Sequence, residues 1–341
     1  MKTFNAIRAL VVLLGLSLGI VPSPALACDV CAVYTTVDLG PSRSGIRLGL
    51  GEQYTYFGER RLNSVPVPSE GERLGSSITQ IQLGYGFGPD WGIDLNIPII
   101  RRSYRRLEDD VLVPGTISGI GDMSLLGTWV PLRPVVDEGL FRLTLFAGLE
   151  FPTGNSDPLA EESEEDDDHP DLPIGFGRVS SRGMGTVQHA SSPSAIHGHD
   201  LALGSGSWDG IIGAHMFGSW EKFYASGLVQ YSIRSEGSFD YQYANDLIFQ
   251  VGPGYFLLLE DEYTLGIQGL VSGDTKGQDS LDGEPLDDTS ATYLFAGPAV
   301  RFSWGADFTA EVSADIPFVR NETSLQIVPD YRIRGGLIWR F

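Results

Sequence analysis

Past its first 27 residues the chain has no apolar run approaching the roughly 18 residues that a membrane-spanning helix needs, which excludes helical passage through a bilayer. Cysteine is reduced to Cys28 and Cys31. Ala32 follows them, so the C-x-x-C-H required for covalent haem is missing. Basic residues are scarce, 23 against 44 acidic. Such a chain repels nucleic acid and offers no stripe of Lys or Arg to follow phosphates. Past residue 27 G-x-S-x-G gives no help either, since Gly204-Ser-Gly-Ser-Trp fails the spacing. Nothing in the sequence specifies an enzyme.

What is present begins with a leader. Lys2 and Arg8 precede an apolar stretch from Ala9 to Ile20, and Ala25-Leu26-Ala27 supplies a small-residue cleavage site. Residues 1–27 therefore read as a secretory signal peptide. Removing Lys2 and Arg8 leaves 21 basic residues against 44 acidic, a net charge near −23. The mature chain would open with a periplasmic segment, 28–43, carrying the Cys28/Cys31 pair. In an oxidising compartment that pair reads as a disulfide, with metal ligation or lipidation of Cys28 as the other readings.

The last eleven residues alternate. Tyr331, Ile333, Leu337, Trp339 and Phe341 fall on one face and Arg332, Arg334, Ile338 and Arg340 on the other. A period of two is a strand. An exposed apolar edge would aggregate, and three unpaired arginines do not suit a dry core. Hydrocarbon outside and a wet lumen inside satisfy both faces. Leu337, Trp339 and Phe341 accordingly read as the assembly signal presented to the barrel-assembly machinery.

Period-two runs give about twelve strands: 44–57 (with a bulge near Gly51), 76–88, 91–104, 119–131, 139–151, 204–220, 222–234, 245–259, 262–272, 289–304, 306–318 and 328–341. Short turns at Gly88-Pro-Asp, Glu221, Glu260-Asp261 and Gly305, and a Pro-rich link between the fourth and fifth strands, alternate with long connections at 58–75, 105–118, 152–203, 235–244, 273–288 and 319–327. Even strand number, short periplasmic turns and long external loops define a transmembrane antiparallel up-and-down β-barrel, over 44–341, in a bacterial outer membrane. The faces agree. Phe141, Leu143, Leu145, Ala147, Leu149 and Phe151 face out, with Arg142, Thr144 and Glu150 inward. Phe308 through Phe318 repeats the pattern over Glu311 and Asp315.

Gly119-Ile-Gly-Asp122, Phe151-Pro-Thr-Gly154, Pro329-Asp-Tyr-Arg332 and the terminal Trp339-Arg-Phe341 resemble an outer-membrane family named for the meta-pathway of phenol degradation. The resemblance implies a barrel and passage of small, hydrophobic or aromatic molecules.

The expected function is a monomeric channel or transporter for a small solute, in contact with outer-membrane lipid and lipopolysaccharide. Lumen charge would come from Arg142, Glu150, Arg234, Arg301, Glu311, Asp315, Arg332, Arg334 and Arg340. Either loop 152–203 or residues 28–43 would serve as a plug. Arg101, Arg102, Arg105 and Arg106 would face lipopolysaccharide phosphates or the pore mouth. A rival reading is a metal-binding surface receptor. Loop 152–203 carries nine carboxylates between Asp157 and Asp171 and four of the five histidines, and His189, His197, His199 and Asp200 could take Zn²⁺ or Cu²⁺. An acidic external loop that gathers cations diffusely is the plain alternative. A lipid hydrolase would need a Ser and a His side by side on the lipid face, and the parity of His215 with Asp209 points inward instead.

Overall fold

The computed structural model describes residues 44–136, 139–167 and 194–341. Residues 1–27, Cys28, Cys31 and His189 lie outside them. Twelve long strands follow in order: β1 (Gly45–Leu62), β2 (Arg73–Gly86), β3 (Trp91–Glu108), β4 in two pieces (Val111–Ile120 and Met123–Leu132), β5 (Gly139–Phe151), β6 (Asp209–Trp220), β7 (Phe223–Ile233), β8 (Asp246–Leu259), β9 (Tyr263–Lys276), β10 (Ala291–Trp304), β11 (Phe308–Glu322) and β12 (Leu325–Arg340). Each pairs antiparallel with the next, and β12 returns to β1, from Arg47 opposite Arg340 to Leu62 opposite Leu325. The sheet is a closed twelve-stranded barrel with no free edge. Closure removes the aggregation hazard carried by the terminal strand.

Alternation sorts the two surfaces as the sequence demands. On β11, Val312, Ile316 and Phe318 are exposed while Asp315 is buried; on β5, Leu149 is exposed while Arg142, Thr144 and Glu150 are buried. Around the short-turn end the outward side chains are aromatic and meet across strands. Trp91 stacks on Trp129 at 5.5 Å, Phe223 meets Tyr255 at 5.2 Å and Phe308 meets Trp339 at 5.2 Å. Toward the other end, Tyr56 stacks on Tyr331 at 5.6 Å and Phe151 meets Trp208 edge-on at 5.1 Å. An apolar wall between two aromatic belts is the outer surface of a membrane barrel.

Three expectations need correction. Connections 105–118 and 319–327 are not open loops: β3 continues to Glu108, β4 begins at Val111, and β11 and β12 meet at a tight turn. The tips Asn63-Ser64 and Asp109-Asp110 each have two positive φ values, 49° and 65°, 50° and 63°. Short polar residues tolerate that left-handed region, and it is the geometry that closes a two-residue hairpin without untwisting its strands. Strands of up to 18 residues exceed the 9–11 or so that a bilayer requires, so their ends project beyond it. The bulge on β1 lies between Tyr56 and Glu59 rather than near Gly51. Finally β6 starts at Asp209, because residues 204–208 belong to another substructure.

That substructure is a plug at the long-connection end. It comprises a 3-10 turn (Asp157–Leu159), helix α1 (Ala160–Asp167) and a returning limb with one helical turn (Gly198–Leu201). Ala195, Ile196 and Leu201 pack on Phe57, Leu74, Ile327 and Tyr104 from β1, β2, β12 and β3. On the opposite side Leu159 and Ala202 pack on Tyr241, Tyr243 and Leu281. There a three-stranded sheet (Tyr241–Gln242, Ser280–Leu281, Glu284–Pro285) joins two further connections.

Candidate functional site: the lumen and its plug

The plug is seated by the same short motifs that punctuate β4 and β5. Between the two pieces of β4, Gly121-Asp122 interrupts the ladder and turns the Asp122 carboxylate inward. Its Oδ1 accepts from Thr153 N at 2.9 Å and Gly154 N at 2.8 Å, and its Oδ2 from Ser205 N at 2.6 Å and Ser205 Oγ at 3.0 Å. One buried carboxylate thus ties the departure of the plug from β5 to its return before β6. Gly154 and Gly204 touch: a Cβ on Gly154 would lie 2.8 Å from Gly204 Cα, and one on Gly204 would lie 2.5 Å from Asp122 Oδ1. Only glycine fits at either place.

Higher up, Glu72 receives the returning limb. It accepts from Ala195 N at 3.1 Å, Ser194 Oγ at 2.7 Å and Leu107 N at 3.0 Å, and faces Arg60 at 3.4 Å. The four arginines of β3 divide by parity. Arg102 is buried and donates to Asp200 O, and Arg106 forms a two-toothed pair with Glu161, 2.7 and 3.1 Å. Arg101 and Arg105 are exposed on the outer face. The set is therefore split between the two surfaces of the wall, two side chains to each.

All nine predicted lumen residues lie on the inward face, and seven of them form ion-paired clusters rather than a ring of loose charge. Arg234 bonds Glu150 (2.5 Å), Asp209 (2.9 Å) and Asp246 (3.0 Å). Arg332 bonds Asp274 at 2.7 Å and Ser272 Oγ at 2.7 Å, and its guanidinium lies 3.9 Å from the Phe295 ring centroid. Arg334 reaches Asp315 at 2.5 Å, and Arg301 donates to Glu311 at 2.7 Å. Arg142 is buried on the inner wall, and Arg340, at the short-turn end, donates to Ala306 O and Thr309 Oγ1, both at 3.2 Å. Pairing is what a partly desolvated charge requires. Asp209 entered the sequence reading only as an inward reference for His215, and Asp246 and Asp274 did not enter it, although Asp274 shares the parity of Ser272 on β9. Below the plug Arg301, Glu311 and Arg334 join Gln53, Gln80, His215 and Gln250 in the walls of a partly open cavity of about 130 Å³.

The histidine cluster sits in the returning limb. His197, His199 and Asp200 present ligand atoms within 4.8 Å of one another, and the two imidazoles stack at 5.4 Å. His199 Nδ1 lies 2.9 Å from Glu162 Oε1, and its Nε2 lies 3.6 Å from Asp200 Oδ1. Burial alone would push the His199 imidazolium down; the Asp200 and Glu162 carboxylates outweigh it and raise the group to about 10. Burial likewise favours a neutral Glu162, yet His199 overrides it and holds the carboxyl at about 2. Glu162 is absent from the sequence-derived ligand set because 37 residues separate it from His199. The Asp279-Ser-Leu-Asp-Gly stretch is structural: Asp279 takes Tyr241 Oη and Lys276 Nζ, each at 2.5 Å. Of the three described histidines none is on the lipid face, since His215 is buried on the inner wall, so the arrangement a lipid hydrolase needs is not met among them.

A closed barrel with an apolar belt, a charged lumen and a folded-in plug defines a protein of the outer-membrane barrel class. Residues 194–324 match the family described as "Putative MetA-pathway of phenol degradation". The short motifs that carry the resemblance lie outside that span. No curated protein matches. Among solved structures the chain is similar to an outer membrane channel from Pseudomonas putida F1, at 16% identity, covering 89% of this chain and 98% of that one with a TM-score of 0.57. The beta domain of the Bordetella autotransporter BrkA is covered to 99%, at 10% identity and a TM-score of 0.42 over 86% of this chain. The first of these likenesses agrees with the barrel fold.

Proposed function

We propose that the protein is an outer-membrane channel whose plugged outer mouth restricts passage to a small solute carrying a single ring. The observation that carries this reading is the cavity beneath the plug. At about 130 Å³ it is the size of one small molecule; a cavity of roughly 150 Å³ accepts benzene. Its walls combine amides, ion pairs and His215 with Ile78, Leu228 and Ile338, which suits a ring bearing one polar group. Twelve strands enclose more than a filled eight-strand barrel and less than a porin. The Pseudomonas putida channel, similar in fold along nearly its whole length, supports a pore-forming role. On this reading residues 1–27 direct export and the long-connection end faces outside.

The test is flux into proteoliposomes. Phenol or benzoate should enter faster than a disaccharide of equal charge through the wild-type protein. A variant with 157–203 replaced by a short Gly-Ser linker should conduct more and discriminate less. Absence of flux through both proteins, correctly folded by heat-modifiable mobility, would remove the channel reading.

A further inference from the structure

We propose that His197, His199 and Asp200 bind one borderline divalent cation of the zinc or copper class, which fastens the returning limb of the plug. Zinc accepts imidazole nitrogen and carboxylate oxygen at roughly 2.0–2.2 Å. Two ligands of one tetrahedral ion are then roughly 3.5 Å apart, and His199 Nε2 stands 3.6 Å from Asp200 Oδ1. The rest of each side chain is already committed in a way that leaves those two atoms for a metal. Asp200 uses its other oxygen, Oδ2, to accept from His197 N at 3.1 Å. His199 uses Nδ1 against Glu162 Oε1 at 2.9 Å. A carboxylate behind a ligating imidazole fixes its tautomer and strengthens it as a donor, the usual second shell of a zinc site.

The third ligand is His197. In helical backbone, residues two apart point to different sides. Here His197 precedes the turn in extended conformation, φ −108° and ψ 176°, which brings its ring onto His199 at 5.4 Å. Its Nδ1 is buried with no hydrogen-bond partner, and its Nε2 faces Asp288 Oδ2 at 3.8 Å. An orphaned buried nitrogen in a cluster that already holds an acceptor pair is a place for a Lewis acid. The charge balance agrees: Glu162, Asp200 and Asp288 surround the two imidazoles, and the nearby Lys276 ammonium is held by Asp279 at 2.5 Å. The mixed nitrogen and oxygen donors select zinc or copper over calcium or magnesium, which take oxygen. The backbone is fixed as well, with Tyr243 Oη donating to His199 O at 3.1 Å.

The experiment uses the full chain in detergent, stripped with chelator and titrated with zinc alone by calorimetry. One equivalent should bind, and His197→Ala, at the more accessible of the two imidazoles, should weaken it at least tenfold with unchanged heat-modifiable mobility. Glu162→Gln should weaken it roughly 10–100-fold through the second shell. Uptake that is salt-sensitive, or equal in wild type and His197→Ala, overturns the site and leaves an ion-paired latch. Should His197→Ala misfold, zinc-edge X-ray absorption on the wild-type protein decides: imidazole scattering at roughly 2.0 Å supports the site, and an all-oxygen shell overturns it. Neither result depends on the protein conducting any solute.

Discussion

Asp122 shows how much one residue can hold. Four hydrogen bonds converge on its carboxylate from Thr153, Gly154 and Ser205, and each bond to a charged group contributes about 1.5–3 kcal/mol. Asp122→Ala should therefore loosen the plug by several such increments while leaving barrel pairing intact. Hydrogen exchange at 153–154 and 203–205 should accelerate, with the β9–β10 ladder unchanged; protection equal to wild type would show that the carboxylate is dispensable. The His199–Glu162 pair gives a pH signature in chelator-treated protein. His199 is raised to about 10 from roughly 6.5 in an unfolded chain. Its contribution is thus complete below about pH 6.5 and is lost as pH rises through about 10. Glu162 is lowered to about 2 from roughly 4.3, so its share is present above that value and lost as pH falls through 2. The plug should be most protected between about pH 4.5 and 6.5, and Glu162→Gln should flatten the alkaline limb of the exchange profile. From sequence, His197, His199 and Asp200 were visible because they are neighbours. Glu162 and Asp288 were not, because only the folded plug brings them there.

Strands were legible wherever one face meets hydrocarbon and the other a polar lumen, since a period of two then runs uninterrupted, as in β5, β11 and β12. Legibility failed where that contrast stops. Above the membrane both faces of β3 and β4 are polar or mixed, and residues 105–118 lost their alternation although they remain paired from Arg105 opposite Pro114 to Glu108 opposite Val111. Residues 204–208 misled in the other direction. Gly204 and Ser205 alternate like a strand but are fixed by Asp122 and Gly154. The membrane-facing segments give a sharp expectation. Val312 is exposed on the outer face of β11, in the span where an introduced arginine costs about 2–4 kcal/mol. Val312→Arg should lower folding stability in lipid vesicles by that amount, measured by tryptophan fluorescence on denaturant titration. Ser313→Asn, one residue along and facing the lumen, should cost far less. Equal costs would mean that the two faces have been assigned wrongly.

At the scale of the whole molecule, direction follows from where the bulk lies. The plug, the three-stranded sheet and the projecting ends of β1, β3 and β11 gather at one end. The turns at 87–90, 221–222, 260–262 and 305–307 and the chain end at Phe341 gather at the other. Barrels of this class carry their short turns on the periplasmic side and their longer loops outside. Phe341 is exposed and its N–H donates to Ile46 O at 2.9 Å, so it completes the β12–β1 seam. Deleting Phe341 should cut the yield of heat-modifiable barrel in outer membranes, with the remainder degraded in the periplasm. Orientation is tested separately, with the closing residue intact. Single cysteines at Gly283, on the tip of a short hairpin beside the plug, and at Asp109, on the β3–β4 tip, should react with an impermeant maleimide on intact cells. A cysteine at Glu260 should react only after the outer membrane is opened. Reaction at Glu260 on sealed cells would turn the barrel over, and the plug would then guard the periplasmic mouth instead of the outer one.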